Sequence, residues 1–126
     1  MGNQEQYLLN DGHLIPKIGL GTFQIRGYEG VEQILTAIQS GYRLLDTSTN
    51  YDSEGAVGEA IRRSGIPRSQ FFVTTKLPGK YHHFDDALKI IEESLLRMGL
   101  SYVDLYLIHW PCLLYTSDAA DDGESV

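Results

Sequence analysis

Cysteine is nearly absent from this chain, with Cys112 alone among 126 residues. One cysteine excludes an internal disulfide and suits a reducing compartment, so a cytoplasmic location is expected. No apolar run approaches the roughly 18 residues of a membrane span, so no membrane association is expected. The opening "MGNQEQ" has neither a basic n-region nor an apolar h-region, which argues against a secretory signal. Gln6 stands where a myristoylation motif requires Ser or Thr. Basic residues are also scarce: 10 Lys and Arg face 17 Asp and Glu, for a net charge of −7. Four of those negative charges (Asp118, Asp121, Asp122 and Glu124) follow Pro111, and the bases before it are scattered, so no nucleic-acid face is expected. His82 and His83 are adjacent but have no third ligand at a recognised spacing, so no metal site is expected.

What is present is an alternation of strand and helix patterns. Two short apolar runs flank Asn10-Asp11-Gly12, a hairpin-turn signal, and the second leads into a first main strand over residues 17–22. In "GYEGVEQILTAIQSG" the residues Val31, Ile34, Leu35 and Ile38 recur at helical spacing, with Gly41 as the C-terminal stop. "YRLLDTS" reads as a buried strand. "EGAVGEAIRRSG" reads as a second helix with Val57, Ala60 and Ile61 on one face and Gly65 at its end. "QFFVTTKL" is a third strand. "DDALKIIEESLLRMG" is a third helix opened by an Asp, with Leu88, Ile91, Leu95 and Met98 inward and Gly99 at its end. "YVDLYLIHW" is a fourth strand. The last two strands are apolar on both faces, as in a parallel sheet covered on both sides. A hairpin followed by β-α-β-α-β-α-β fits either a doubly wound open sheet or part of a (β/α)8 barrel.

Three main strands end in ionisable residues: Asp46, Lys76 and His109. In both candidate folds the C-terminal strand ends form the rim where ligands bind. Each residue has a plainer reading. Asp46 could cap the following loop, Lys76 could be a surface lysine, His109 a core histidine and Tyr51 an aromatic contact. Their convergence on one rim favours a site, because a lone buried charge costs several kcal/mol unless paired. Asp46 and Lys76, on neighbouring strands, could pair with each other.

Four landmarks in order then resemble the aldo-keto reductase family: "GLGTF" (19–23), "GYRLLDTSTNYDSEGAVG" (41–58), "VTTKLP" (73–78) and "LIHWP" (107–111). The resemblance covers about residues 7–111. It implies the N-terminal half of a (β/α)8 TIM barrel, with an N-terminal β-hairpin plugging the barrel bottom and the chain cut after the fourth strand. It also implies an oxidoreductase that reduces aldehydes or ketones to alcohols with NADPH, or in some members NADH, on a small-molecule carbonyl substrate, in a monomer or weak oligomer. The catalytic set carried over is Asp46, Tyr51, Lys76 and His109. Gly21, Thr22, Phe23 and Asp46 would line the cofactor, and Phe23, Tyr51, His109 and Trp110 the substrate.

Carbonyl reduction needs a hydride on carbon and a proton on oxygen. A free phenol, with a pKa of about 10, is a poor donor near neutrality, and a neighbouring ammonium stabilises the phenolate. Tyr51 beside Lys76, with Asp46 holding the lysine and His109 orienting the carbonyl, fits that demand. Two departures stand out: Ser48, and Asp52-Ser53, occupy positions where relatives often show Ala and Gly-Asn. Two other readings are a non-catalytic regulatory relative of the same fold and a barrel lyase or isomerase using Lys76 as a Schiff base.

A barrel of this type runs to about 250 residues. Residues 1–111 therefore read as a partial barrel. After Pro111 the periodicity stops: "CLLYTSDAADDGESV" is small, acidic and without amphipathic spacing. Residues 112–126 resemble translated adapter sequence at the end of an assembled read and are expected to be a non-native or disordered tail. A natural acidic tail is the alternative.

Overall fold

The computed structural model describes residues 5–79 and 83–109, with His109 described in its backbone only. His82, Trp110, Cys112 and the whole segment 112–126 lie outside the described residues. An N-terminal hairpin, β1 (Gln6–Leu8) with β2 (Leu14–Pro16), precedes four parallel strands: β3 (Gly19–Gly21), β4 (Leu44–Asp46), β5 (Phe72–Pro78) and β6 (Leu105–His109). Helices α1 (Gly27–Gln39), α2 (Glu54–Ser64) and α3 (Phe84–Met98) connect them.

The hairpin turn is wider than its Asp-Gly signal implies, because five residues separate the strands. Leu9 N–H donates to the His13 carbonyl at 2.8 Å, and the Asp11 carboxylate accepts from His13 N–H at 3.0 Å. Those backbone and side-chain hydrogen bonds to His13 also hold the Asp11 carboxyl below its usual range.

The order of the four-stranded sheet, β3-β4-β5-β6, decides between the two candidate folds. Each strand lies beside the next in sequence, and α1 packs on α2 and α2 on α3, so all three crossovers cover one face. A doubly wound sheet reverses its strand order and covers both faces. A sheet wound in one direction with one helical layer is a segment of a (β/α)8 barrel. The hairpin borders a cavity shared with Arg43, Phe72 and Asp104, at the N-terminal ends of the strands, so it sits at the opposite end from the rim.

The core lies between sheet and helices: Val31, Ile34 and Ile38 of α1, Leu45 of β4, Val57, Ala60 and Ile61 of α2, Val73 of β5 and Met98 of α3. Leu35 packs against it half-buried. In α3 the expected stripe is only partly inward. Ser94 and Met98 are buried, Ile91 and Leu95 are half-buried, and Leu88 is 45% exposed. The helix packs against α2 and β5, and its two buried residues, Ser94 and Met98, both lie in its C-terminal half. His83 rather than an Asp stands at its N-cap, with Asp85 and Asp86 in the first turn. In β6, Leu105, Leu107 and Ile108 are exposed, because one side of this strand has no neighbour among the described residues.

The α2–α3 crossing depends on Gly58. A Cβ there would lie 1.9 Å from the Met98 carbonyl oxygen, which itself accepts from Arg62 Nη1 at 2.9 Å. Gly58→Ala therefore has to push α3 off α2, and it is expected to cost about 1–3 kcal/mol, read as a lower urea midpoint. On the outer face Tyr106 has a buried hydroxyl with no partner among the described residues. Burial, helped by the nearby Glu54 carboxylate, pushes it up to about 12. The fold thus favours the neutral phenol. That contribution is complete below the unfolded value of about 10 and is lost as pH rises through about 12. An alkaline titration followed by tyrosinate absorbance should find Tyr106 among the last phenols to ionise.

Candidate active site

Register brings Asp46 and Lys76 together. Asp46 lies opposite Thr74, and Lys76 follows two residues later. With a side-chain period of two, Thr74 and Lys76 share the face to which Asp46 points. Lys76 Nζ lies 2.8 and 2.9 Å from the two Asp46 carboxylate oxygens and donates to the Thr47 carbonyl at 3.0 Å. The Thr74 hydroxyl also donates to Asp46 Oδ1. The lysine side chain is largely withdrawn from solvent and the aspartate is half-buried. Such a pair persists only with its lone pairs and protons matched, and three donor–acceptor contacts beyond the pair's own first bond supply the match.

Tyr51 reaches this pair from a loop. After β4 the chain makes one turn of 3₁₀ helix, Thr49–Tyr51, in which Ser48 Oγ accepts from Asn50 N–H and the Ser48 carbonyl accepts from Tyr51 N–H. The turn is tied to its surroundings by Thr49, whose Oγ1 donates to the Lys76 carbonyl at 3.2 Å and lies 3.2 Å from Ser94 Oγ of α3. The Tyr51 ring then lies with Lys76 Nζ 4.9 Å from its centroid, within cation–π range. Phe23 meets the same ring edge-on, with centroids 5.2 Å apart and planes at 77°. Phe23 itself is 61% exposed.

His109 ends β6, opposite Pro78 of β5. It therefore stands on the same rim, two positions past the level of Lys76, which pairs with Leu107. Gly21 ends β3 opposite Asp46, with open space where a side chain would stand. Thr22 follows directly after β3. Its side chain is fully buried, and its hydroxyl donates to the Asp46 carbonyl at 2.9 Å and meets Ser53 Oγ at 2.8 Å. A β-branched side chain directly after the strand end turns back under the rim, so Thr22 supports Asp46 from behind.

Asp46 and Tyr51 thus both meet Lys76, with Phe23 against the tyrosine and His109 further along the rim. Of the supporting groups, Thr74 carries a readable signal, two residues before Lys76 on the same strand. Ser53 shows in the sequence only as part of the Asp52-Ser53 departure, and the Thr47 carbonyl carries no signal. Outside the barrel wall a second ionic group stands behind β5: Glu54, 2% exposed, accepts from Thr75 Oγ1 at 2.5 Å and from Arg97 Nε at 2.9 Å.

The family model for the aldo/keto reductase family matches residues 17–119. The chain is 48% identical over 111 residues to 2,5-diketo-D-gluconic acid reductase B of Corynebacterium sp., an alignment covering 88% of this chain and 40% of that protein. Among solved structures it is similar to an aldo/keto reductase from Brucella melitensis, with a TM-score of 0.83, 45% identity, and coverage of 86% of this chain and 42% of that one. It also resembles the Bombyx mori aldo-keto reductase in complex with NADP, with a TM-score of 0.79, 38% identity, and coverage of 86% and 38%. The chain spans about two fifths of the length of these relatives. Matched in four-fifths of its length and carrying the Asp46–Lys76–Tyr51 constellation at the strand ends, the chain belongs to the aldo/keto reductase family.

Proposed function

We propose that the complete barrel carrying this sequence is an NADPH-dependent carbonyl reductase, with Tyr51 as general acid. The observation that supports it is the Lys76 ammonium held against the Tyr51 ring by a carboxylate that is itself fully engaged. The residues at the ends of β3 and β4 fit a nicotinamide ring: Gly21 leaves open space at the rim, and the exposed Phe23 offers an apolar face beside it. Bound there, along Gly21, Phe23 and Asp46, the cofactor supplies the reducing equivalent to the carbonyl carbon. NADPH is preferred over NADH by analogy with the NADP complex of the silkworm relative.

The protein's own part is the proton and the geometry. Tyr51 donates its hydroxyl proton to the carbonyl oxygen, and the phenolate left behind is stabilised by the ammonium beside it. Asp46, Thr47 and Thr74 keep that ammonium in one place, so little reorganisation accompanies the proton transfer. His109, on the next strand end, orients the carbonyl. Phe23 offers an apolar wall to the substrate, an aldehyde or ketone. A Schiff-base role for Lys76 fits less well, since that chemistry requires a free amine and this one is tied to two carboxylate oxygens and a carbonyl.

In the complete barrel, Tyr51→Phe should lower kcat by about 10²–10⁴-fold while leaving NADPH binding by fluorescence titration near the parent value. Lys76→Met should lower kcat to a comparable extent. A Tyr51→Phe enzyme retaining full turnover would exclude the general-acid role. The 126 residues expressed alone should show no reductase turnover and should self-associate in sedimentation, because β3 and β6 each keep one side unpaired among the described residues.

A further inference from the structure

We propose that Ser53 is a positioning residue for the Asp46–Lys76 pair, acting through a directed chain of buried hydroxyls. Its consequence for turnover rests on the reductase reading above; its effect on the lysine does not.

Ser53 occupies the N-cap of α2, where a serine ordinarily accepts a hydrogen bond from the first turn of its helix. Here its side chain makes no such bond. Its Oγ instead lies 2.8 Å from Thr22 Oγ1 and 2.8 Å from Thr47 Oγ1, and all three residues are fully buried. The preceding residue, Asp52, is left-handed at φ 59, which turns the chain so that Ser53 points under the rim. Asp52-Ser53 is also one of the two places where this chain departs from the family signature.

Proton counting gives the chain its direction. Each hydroxyl has one proton. That of Thr22 goes to the Asp46 carbonyl, which can only accept. Thr22 therefore receives from Ser53. With its own proton committed, Ser53 receives from Thr47. The order is Thr47 to Ser53 to Thr22 to the Asp46 carbonyl.

The two ends of this chain grip consecutive residues. Asp46 supplies the carboxylate, and Thr47 the carbonyl, that hold the Lys76 ammonium. Thr22 fixes the first residue through its carbonyl, and Ser53 fixes the second through its side chain. Among the described residues Ser53 is the one group touching both fixings, and it joins the ends of β3 and β4 to the start of α2. Being fully buried behind the rim, it acts through these neighbours.

Ser53→Ala leaves the Thr47 hydroxyl proton without its acceptor in a buried place, so that residue and the carbonyl holding Lys76 loosen. The first readout needs no cofactor. The complete barrel is treated with an amine-acylating reagent, and labelling at each lysine is followed by peptide mass spectrometry. Ser53→Ala should label Lys76 several-fold faster, with the exposed Lys89 unchanged as reference. Turnover is the second readout: kcat should fall about tenfold with the carbonyl KM within twofold. The double variant Thr47→Val/Ser53→Ala removes the orphaned proton and should recover thermal stability, but neither kcat nor the protection of Lys76.

Parent-like labelling of Lys76 in Ser53→Ala overturns the proposal. So does a double variant that regains kcat together with stability, which would make Ser53 a purely structural residue. If the parent barrel shows no carbonyl reduction at all, the functional reading fails, and the labelling comparison decides the positioning role by itself.

Discussion

Everything on the rim depends on one ion pair between neighbouring strands, Asp46 with Lys76. Bringing two charges out of water is expensive, and their attraction offsets the cost only when the geometry is tight and the remaining polar atoms are satisfied. Here the Thr74 hydroxyl and the Thr47 carbonyl complete the match. That demand constrains the backbone. The β4–β5 register must set Asp46 against Thr74, since a slip of one residue would turn Lys76 to the opposite face of the sheet. It also constrains the loop after β4, whose 3₁₀ turn is pinned to the Lys76 carbonyl by Thr49 and so carries Tyr51 to the ammonium.

The outer layer is organised to keep those strand ends still. Val73 and Thr75 alternate with Thr74 and Lys76, so one strand serves the helices and the site at once. Thr75 bonds the buried Glu54 at the start of α2, and Arg97 of α3 closes the same group from outside. Gly58 lets α3 approach until the Met98 carbonyl almost touches the α2 backbone, and Arg62 then caps that carbonyl. Ser53 lies where α2 begins, so helix packing and the hydroxyl chain behind Asp46 share one anchor. The exposed apolar residues of β6 have a simple cause: the chain corresponds to about two fifths of a closed barrel, and a parallel strand at the boundary shows the face its next neighbour would cover.

Much of this was readable before any coordinates. Apolar residues at 3.6 spacing marked α1 and α2, and Gly41, Gly65 and Gly99 marked the helix ends where the backbone turns left-handed. The motifs around Asp46, Tyr51 and Lys76 carried the family, and the family carried the chemistry. The inward stripe that periodicity marks on α3 includes Leu88, which the fold leaves exposed, because periodicity tells which residues share a face but not how much of that face finds a neighbour. The place of Thr22 in "GLGTF" does not tell that its hydroxyl turns beneath Asp46.

The amino-acid sequence by itself determined the alternation of strands and helices, the residues capable of acid chemistry, and the family, since each is a property of local spacing and residue type. Tertiary structure alone decided the winding direction of the sheet, because strand order is a relation between segments about 25 to 31 residues apart. It alone also decided the hydroxyl chain from Thr47 through Ser53 to Thr22. Threonines and serines are common, and nothing in their spacing separates a solvated hydroxyl from one whose single proton has only one buried place to go.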